Sequence, residues 1–365
     1  MRILICNWKD MAHPAAGGAE VYTHECARRW AAWGHHVTLV CSAVPGRPDI
    51  EVVDGVRVMR QGTRLGVYSA VRRVVRAFAG RFDVIIDEIN TRPFFAHHHA
   101  GGTPVVALAH QVAREVWSHE TPLPVALVGR YMLEPRWLPA YADVPTMTVS
   151  PSSAESLAAY GLRNLHLVPE GVELPDGVPD RYAKAERPTF VFCGRLVSMK
   201  RPADAIEAFG QARRALGPDA TLDIIGTGPL ERPLRDMAPD GVTFRGRVSQ
   251  EEKFELLGRA HALVATSVRE GWGLVVSEAA AVGTPAIAYD VAGLRDSVRA
   301  AAGILVPEST ESLAEAMAFW APRLAAKPPA PLAHGGAHSW DHVATAVLST
   351  VERLMARPAA GRLAA

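Results

Sequence analysis

In the stretch REGWGLVVSEAAAVGTP, residues 269–285, Glu270 and Glu278 have seven residues between them. Gly271 and Gly273 follow the first glutamate, and Gly283-Thr284-Pro285 closes the segment. Paired carboxylates serve as acid and base, as metal ligands, or as acceptors for the hydroxyls of a polyol. The run LVVSEAAAVG reads as a short helix, which sets free backbone N–H groups near Gly273, Leu274 and Val275 between the two carboxylates. Such N–H groups, with the helix dipole behind them, suit a phosphate. A phosphate with hydroxyl acceptors on either side is the layout of a nucleotide diphospho-sugar. The plainer reading is a helix-start glutamate favoured by the dipole and an exposed loop glutamate.

A second group is CGRLVSMKRP, residues 193–202. Arg195 follows directly on an apolar strand, and Lys200 lies just before Pro202, which opens a helix. Two cations at a strand end beside a helix start can neutralise a diphosphate and stabilise it as a leaving group; the alternative is a solvated surface pair. In PAAGGAE (14–20), Gly17 and Gly18 let the backbone approach a ligand at the start of the first helix, the alternative being a tight turn with no ligand. This is not GxGxxG, and HVTLVC ends in Cys41 and Ser42 with no acid following, so the marks of a dinucleotide site are missing. His110 ends PVVALAH. A histidine at a strand's carboxyl end lies in the cleft, not on a buried face, and there it can hydrogen-bond a sugar hydroxyl or move a proton; the plainer reading is a structural histidine. His97, His98 and His99 are adjacent, point in different directions, and read as a solvated patch, not a metal site. The run RRVVRAF (72–78) reads as a helix with a solvated basic face, with membrane contact as its alternative.

These groups need elements to hold them. RILIC (2–6) reads as a buried strand, residues 19–33 as a helix with Ala19, Tyr22, Cys26, Trp30 and Trp33 on one face, and HVTLVC (36–41) as the next strand. Strand, glycine loop, helix, glycine, strand is a βαβ unit and predicts a parallel sheet. FDVIIDE, PVVALAH, PTMTVS and, at an edge, LHLVPEG continue it. Residues 173–188 are rich in proline and charge and read as a connector. The pattern then restarts with TFVFCGR, a helix from Pro202 to Leu216, and the strands TLDIIGTG, VTFRGR, ALVATS, TPAIAYD and GILVP. After a spacer, KPPAP, the tail 339–356 is amphipathic, with Trp340, Val343, Val347, Val351 and Leu354 on one face, and RPAAGRLAA (357–365) is expected to fray.

The bulk numbers agree with two α/β domains. The chain has 365 residues, 48% hydrophobic and 21% charged, enough for two cores. A formal charge of +1 gives no general reason to expect nucleic acid or an anionic membrane as partner. No apolar run approaches the ~18 residues of a membrane span, and MRILICNW lacks the pattern of a signal peptide. Cys6, Cys26, Cys41 and Cys193 form no CxxC pair and read as reduced core thiols of a cytoplasmic protein.

Taken together, GGAE (17–20), HQ (110–111), VSPSSAESL (149–157), VPEGVE (168–173), GRLVSMK (194–200), IIGTGP (224–229), EGWGLVVSE (270–278) and GTPAIA (283–288) resemble the retaining glycosyltransferases of family 4. The resemblance implies an α/β GT-B fold, two Rossmann-like domains with parallel sheets facing across a cleft. Residues 1–172 would be the acceptor-binding domain, 173–338 the nucleotide-sugar-binding domain, and 339–365 a C-terminal helix crossing back to the first. It implies that Glu270 lies by the donor sugar, Glu278 by the ribose, Arg195 and Lys200 on the diphosphate, and His110 beside the sugar. His110, Arg195, Lys200 and Glu270 would then be catalytic. Gly17, Gly18, Val248, Gly271, Gly273, Leu274, Val275 and Glu278 would bind the donor. The family needs no metal or organic cofactor, and retains anomeric configuration by front-face attack in which the leaving phosphate assists deprotonation.

The expected donor is a UDP-sugar, with a GDP-sugar next; the acceptor is a small molecule, glycan or lipid-linked hydroxyl, with QVAREVWSHETP (111–122) and the loops near Asn90 and Arg92 on the acceptor side. Alternatives are an enzyme making a sucrose- or trehalose-type disaccharide, a nucleotide-sugar hydrolase and a catalytically weak nucleotide-sugar-binding protein. Three departures stand out: Glu170 replaces the usual Asn in PNGVD, Trp272 replaces Phe, and Arg201 replaces the Gly after the lysine.

Overall fold

Parallel strands covered on both faces read as unbroken apolar runs, and in the computed structural model the runs RILIC, VIIDE and TFVFC are such strands. The structure describes residues 1–179 and 182–356; the predicted fraying of 357–365 lies outside them. The chain divides into two compact units. One comprises Met1–Arg114, Leu127–Glu170 and the C-terminal segment from Trp340; the other Glu115–Ala126 and Gly171–Ser339.

The first unit is built on a sheet of β1 (Arg2–Cys6), β2 (His36–Cys41), β3 (Ile50–Val53), β4 (Val56–Arg60), β5 (Val84–Glu88), β6 (Val105–Leu108), β7 (Thr146–Thr148) and β8 (Leu165–Leu167). Their spatial order is β3-β4-β2-β1-β5-β6-β7-β8. All neighbours run parallel except β3 and β4, a hairpin absent from the sequence reading. Its turn is Asp54-Gly55 with both φ values positive, at 48° and 80°, the conformation that a tight two-residue hairpin demands. The chain leaves β1 toward β2 on one side and returns to β5 on the other, so the order reverses between β1 and β5. The C-terminal helix Trp340–Ala356 packs on the helix Gly18–Ala32 through buried Trp340, Val343, Val347 and Val351. Trp30 Nε1 donates to Ala344 O at 2.9 Å.

The second unit holds β9 (Thr189–Cys193), β10 (Thr221–Ile225), β11 (Val242–Gly246), β12 (Ala262–Ala265), β13 (Ala286–Tyr289) and β14 (Ile304–Val306). They are all parallel, in the order β11-β10-β9-β12-β13-β14, reversing between β9 and β12. One core runs through this unit, joining Phe190 of the sheet to Phe209, Leu313 and Met317 of two helices that pack against each other. The sequence reading placed 115–126 with the first half; in the structure these residues group with the second.

Candidate active site

In the second unit the polar side chains gather at the strand ends flanking the reversal. Arg195 leaves β9 half-buried, and among the described residues no carboxylate pairs with it. A single helical turn, Ser198–Lys200, follows, and Arg201 takes a left-handed φ of +45° before Pro202 opens the helix Pro202–Leu216. That conformation favours glycine, so Arg201 is strained there. Thr266 Oγ1 lies 2.9 Å from Lys200 O and 2.8 Å from Arg201 O, and Arg201 donates to Glu308 Oε2 at 2.7 Å. These contacts hold the turn without the glycine.

Beyond β12, Lys200 Nζ forms an ion pair with Glu270 Oε1, and Ser267 Oγ donates to the same oxygen at 2.6 Å. The expected diphosphate cation and sugar carboxylate are thus brought together. The Glu270 backbone is fixed from behind: its N–H donates to Ala292 O at 3.0 Å. Gly293, at φ +81°, lies so close that a Cβ there would sit 2.0 Å from Glu270 O. Gly273, at φ +92°, caps the helix Leu274–Ala281. Gly273 O takes the Val276 N–H at 2.9 Å, so Leu274 and Val275 are the residues whose N–H groups lack intrahelical acceptors. Glu278, one turn in, accepts from Lys253 Nζ at 2.7 Å. Trp272 Nε1 donates to Ser277 Oγ at 3.0 Å, a bond phenylalanine could not make. Gly271 is half-buried in the same turn, and Val248, ahead of the helix Gln250–Arg259, packs on the core.

Lys253, Ser267 and Gly293 were missed from sequence. A signal for Ser267 existed in its place just past a buried strand; Lys253 is a lysine inside an acidic helix and carries none. Residues 115–122 of the segment 111–122, read with the first half, are anchored here: Arg269 Nε donates to Glu115 Oε2 at 2.9 Å, and His119 Nδ1 lies 3.1 Å from Ser198 Oγ.

In the first unit, His110 follows β6, but it is buried at 8% exposure rather than facing solvent. It packs against the Tyr22 ring at 5.0 Å, edge to face. Its Nδ1 lies 3.6 Å from Glu170 Oε1, an ion-pair distance longer than a hydrogen bond, and its Nε2 is buried with no hydrogen-bond partner. Burial opposes the His110 cation, but pairing with Glu170 and the charges of Glu88 and Glu20 outweigh it and raise the pKa. Glu88 ends β5 fully buried, accepting from Asn7 Nδ2 and Thr23 Oγ1, each at 2.6 Å. Burial pushes Glu88 up to about 7. The sequence reading missed Asn7, Glu20, Glu88 and Lys9; the acid ending VIIDE was the legible signal.

Gly17 caps the first helix at φ −147°, where any residue fits. A Cβ there would meet nothing nearer than Glu20 Oε2 at 3.8 Å. The Gly17 N–H donates to Glu20 Oε2 at 2.7 Å, and Lys9 Nζ lies 3.1 Å from that oxygen. Gly18 begins the helix without a positive φ. Asn90 Nδ2 donates to Asn7 Oδ1 at 2.7 Å, and Arg92 lies 4.5 Å over the Tyr68 ring. The histidine run is not a uniformly solvated patch: His98 is exposed, while His97 packs on Tyr141 at 4.5 Å and burial lowers its pKa to about 4. Arg72, Arg73 and Arg76 are exposed on the helix Val67–Ala77, whose Val71, Val74 and Val75 are buried. No helix among the described residues is long and apolar enough to cross a membrane.

Two parallel-sheet Rossmann-like units of this kind define the GT-B class. A sucrose-phosphate synthase from Thermosynechococcus elongatus shares the fold, with a TM-score of 0.75, 21% identity, and coverage of 97% of this chain and 99% of that one. The model "Glycosyltransferase Family 4" matches residues 16–175, and "Glycosyl transferases group 1" matches residues 179–321. The chain belongs to the family 4 glycosyltransferases and is a glycosyltransferase. It is 28% identical to a D-inositol 3-phosphate glycosyltransferase of Jonesia denitrificans, over 96% of this chain and 95% of the relative. It is 32% identical to a GDP-mannose-dependent alpha-(1-6)-phosphatidylinositol monomannoside mannosyltransferase of Mycobacterium tuberculosis, over 55% of each chain.

Proposed function

We propose that the protein transfers a sugar, with retention and without a metal, from a nucleotide diphospho-sugar to a hydroxyl acceptor, UDP being the first donor base and GDP the second. The observation that carries the reading is Arg195: a half-buried guanidinium with no carboxylate partner among the described residues, beside Lys200 and across the sheet's reversal from the helix start at Leu274 and Val275. A half-buried cation and free N–H groups at the ends of neighbouring strands suit a diphosphate, whose departing charge the cation would stabilise. Glu270 would hold the sugar through the Lys200–Ser267 cluster and Glu278 the ribose, with Lys253 setting its orientation. Gly17, whose backbone and surroundings would admit a side chain, and Gly18 would let backbone approach the substrate.

GDP stays in the reading because one relative is named as GDP-mannose-dependent. A polyol hydroxyl is the favoured acceptor class because another is named for inositol 3-phosphate. The test is turnover of a panel of UDP-, GDP-, ADP- and dTDP-sugars with polyol acceptors, with and without chelator, reading the anomer of the product by NMR. Arg195→Ala should lower kcat roughly a hundredfold with the thermal midpoint unchanged. Wild-type kcat in that variant removes the diphosphate role, an inverted product removes retention, and loss of activity with chelator removes metal independence.

A further inference from the structure

His110 and Glu170 form a buried pair that the residue usual at position 170 in this family, asparagine, could not make. Their side chains come from different places in the chain, His110 from the end of β6 and Glu170 from the turn after β8, and meet at 3.6 Å. Both residues are more than nine-tenths buried. The Tyr22 ring packs edge-on against the imidazole, and Ser153 Oγ donates to the His110 carbonyl at 2.7 Å, fixing the backbone from which the ring projects. The titratable groups facing the ring are Glu170, Glu88 and Glu20, with the Tyr22 phenol. Three carboxylates from three elements thus surround one imidazole, and no cation is among these groups. Glu88 is already engaged by Asn7 and Thr23, and Glu20 by Lys9 and the Gly17 N–H. Glu170 is the carboxylate in direct contact with the ring. Nε2, at the opposite side of the ring from Nδ1, is left without a partner.

We propose that Glu170 is a positioning residue that holds His110 as an imidazolium, its Nδ1–H directed at the carboxylate and its Nε2–H presented as a charged donor to a hydroxyl oxygen of the bound substrate. This rests on the glycosyltransfer reading for the identity of that substrate, but not for the state of the pair. A buried donor with nothing to donate to is costly, which makes Nε2 a place for a ligand atom. A charged donor binds oxygen about twice as strongly as a neutral one. Asparagine at position 170 could orient the ring but would not hold its proton, whereas the carboxylate favours the charged form of His110.

The experiment is a titration of the His110 ring by NMR in the full chain, in wild type, Glu170→Gln and Glu170→Asp, paired with the pH profile of kcat/KM. With a protonated His110 required, activity is present below its pKa and falls as pH rises through it. In Glu170→Gln the His110 titration should move down by at least about one unit, and the alkaline limb of activity should move down with it. At pH 7.5 kcat/KM should fall roughly 10–100-fold, and Glu170→Asp should restore most of the loss. An unchanged His110 titration in Glu170→Gln overturns the proposal, as does an alkaline limb that stays in place. If wild type turns over no nucleotide sugar, the functional reading fails, while the NMR titration still decides the pair. Should Glu170→Gln not fold, a His110 titration in Glu170→Asp no higher than that of a free histidine overturns it equally.

Discussion

At the scale of single residues, three glutamates show how environment assigns different work to one side chain. Glu270 and Glu278 are each matched by a lysine and remain half-exposed. Glu88 is fully buried with only neutral donors, Asn7 and Thr23, so burial raises it from 4.5 to about 7. The consequence for stability has a definite sign. Between the unfolded and folded values the native state binds the extra proton, so stability falls as pH rises from about 4.5 to 7 and is level above. At 1.36 kcal/mol per unit, the loss is about 3 kcal/mol. Glu88→Gln keeps the shape without the charge. Its stability relative to wild type should therefore rise across that window, measured by denaturant unfolding at pH 5 and pH 8. A difference that does not change between the two pH values would mean Glu88 is not the group. The positions of Arg195, Lys200 and Glu270 at strand ends were readable because their neighbours, GRL and the EGWG turn, announce those ends, whereas Lys253 and Ser267 were not read. Glu88 and Glu170 were not read as site residues, since only the fold brings them to His110 and Asn7.

At the scale of elements, legibility followed burial. Strands buried on both faces give apolar runs that no turn can imitate. The hairpin β3–β4 is half-exposed, with Val52 at 70%, and left a weaker pattern, although Asp54-Gly55 was a usable turn signal. The segment 116–141 is a short helix ended before Pro122 and then a helical run, 123–141, that changes type near Pro135 and Pro139, so no single helical period builds up for a reader to find. Tight packing between elements sets the turn that carries Glu270. Gly293, opening the helix Leu294–Ala300, lets that helix start touch the turn that carries Glu270. Gly293→Ala places a methyl against the Glu270 carbonyl in a left-handed conformation, and should cost about 1–3 kcal/mol. It should also lower kcat by displacing the carboxylate, with both read from the same protein by denaturant titration and turnover. Full activity in a destabilised Gly293→Ala would separate the loop's packing from any role of Glu270.

At the scale of the whole molecule, the sequence announced two βαβ series but not how the chain is shared between them. The tail's apolar face predicted a docked helix, and its partner, the helix Gly18–Ala32, is identified only by contacts such as Trp30 to Ala344, 314 residues apart. Residues 115–126 belong to the second unit for similar reasons: Glu115 finds Arg269, and nothing near Glu115 in sequence says so. Each unit has its own sheet, its own reversal and its own polar strand ends, so ligands can be assigned to units by experiment. The cations and helix start lie in the second. A nucleoside diphosphate present at a hundred times its Kd adds about 2.7 kcal/mol to the species that binds it, and hydrogen exchange reports where. UDP or GDP should slow exchange of the amides in 194–200 and 271–278 while leaving 7–23 and 88–110 at their rates in free protein. Protection confined to 7–23 and 88–110 would move the nucleotide to the first unit, and Arg195, Lys200 and Glu278 would lose their assignments together.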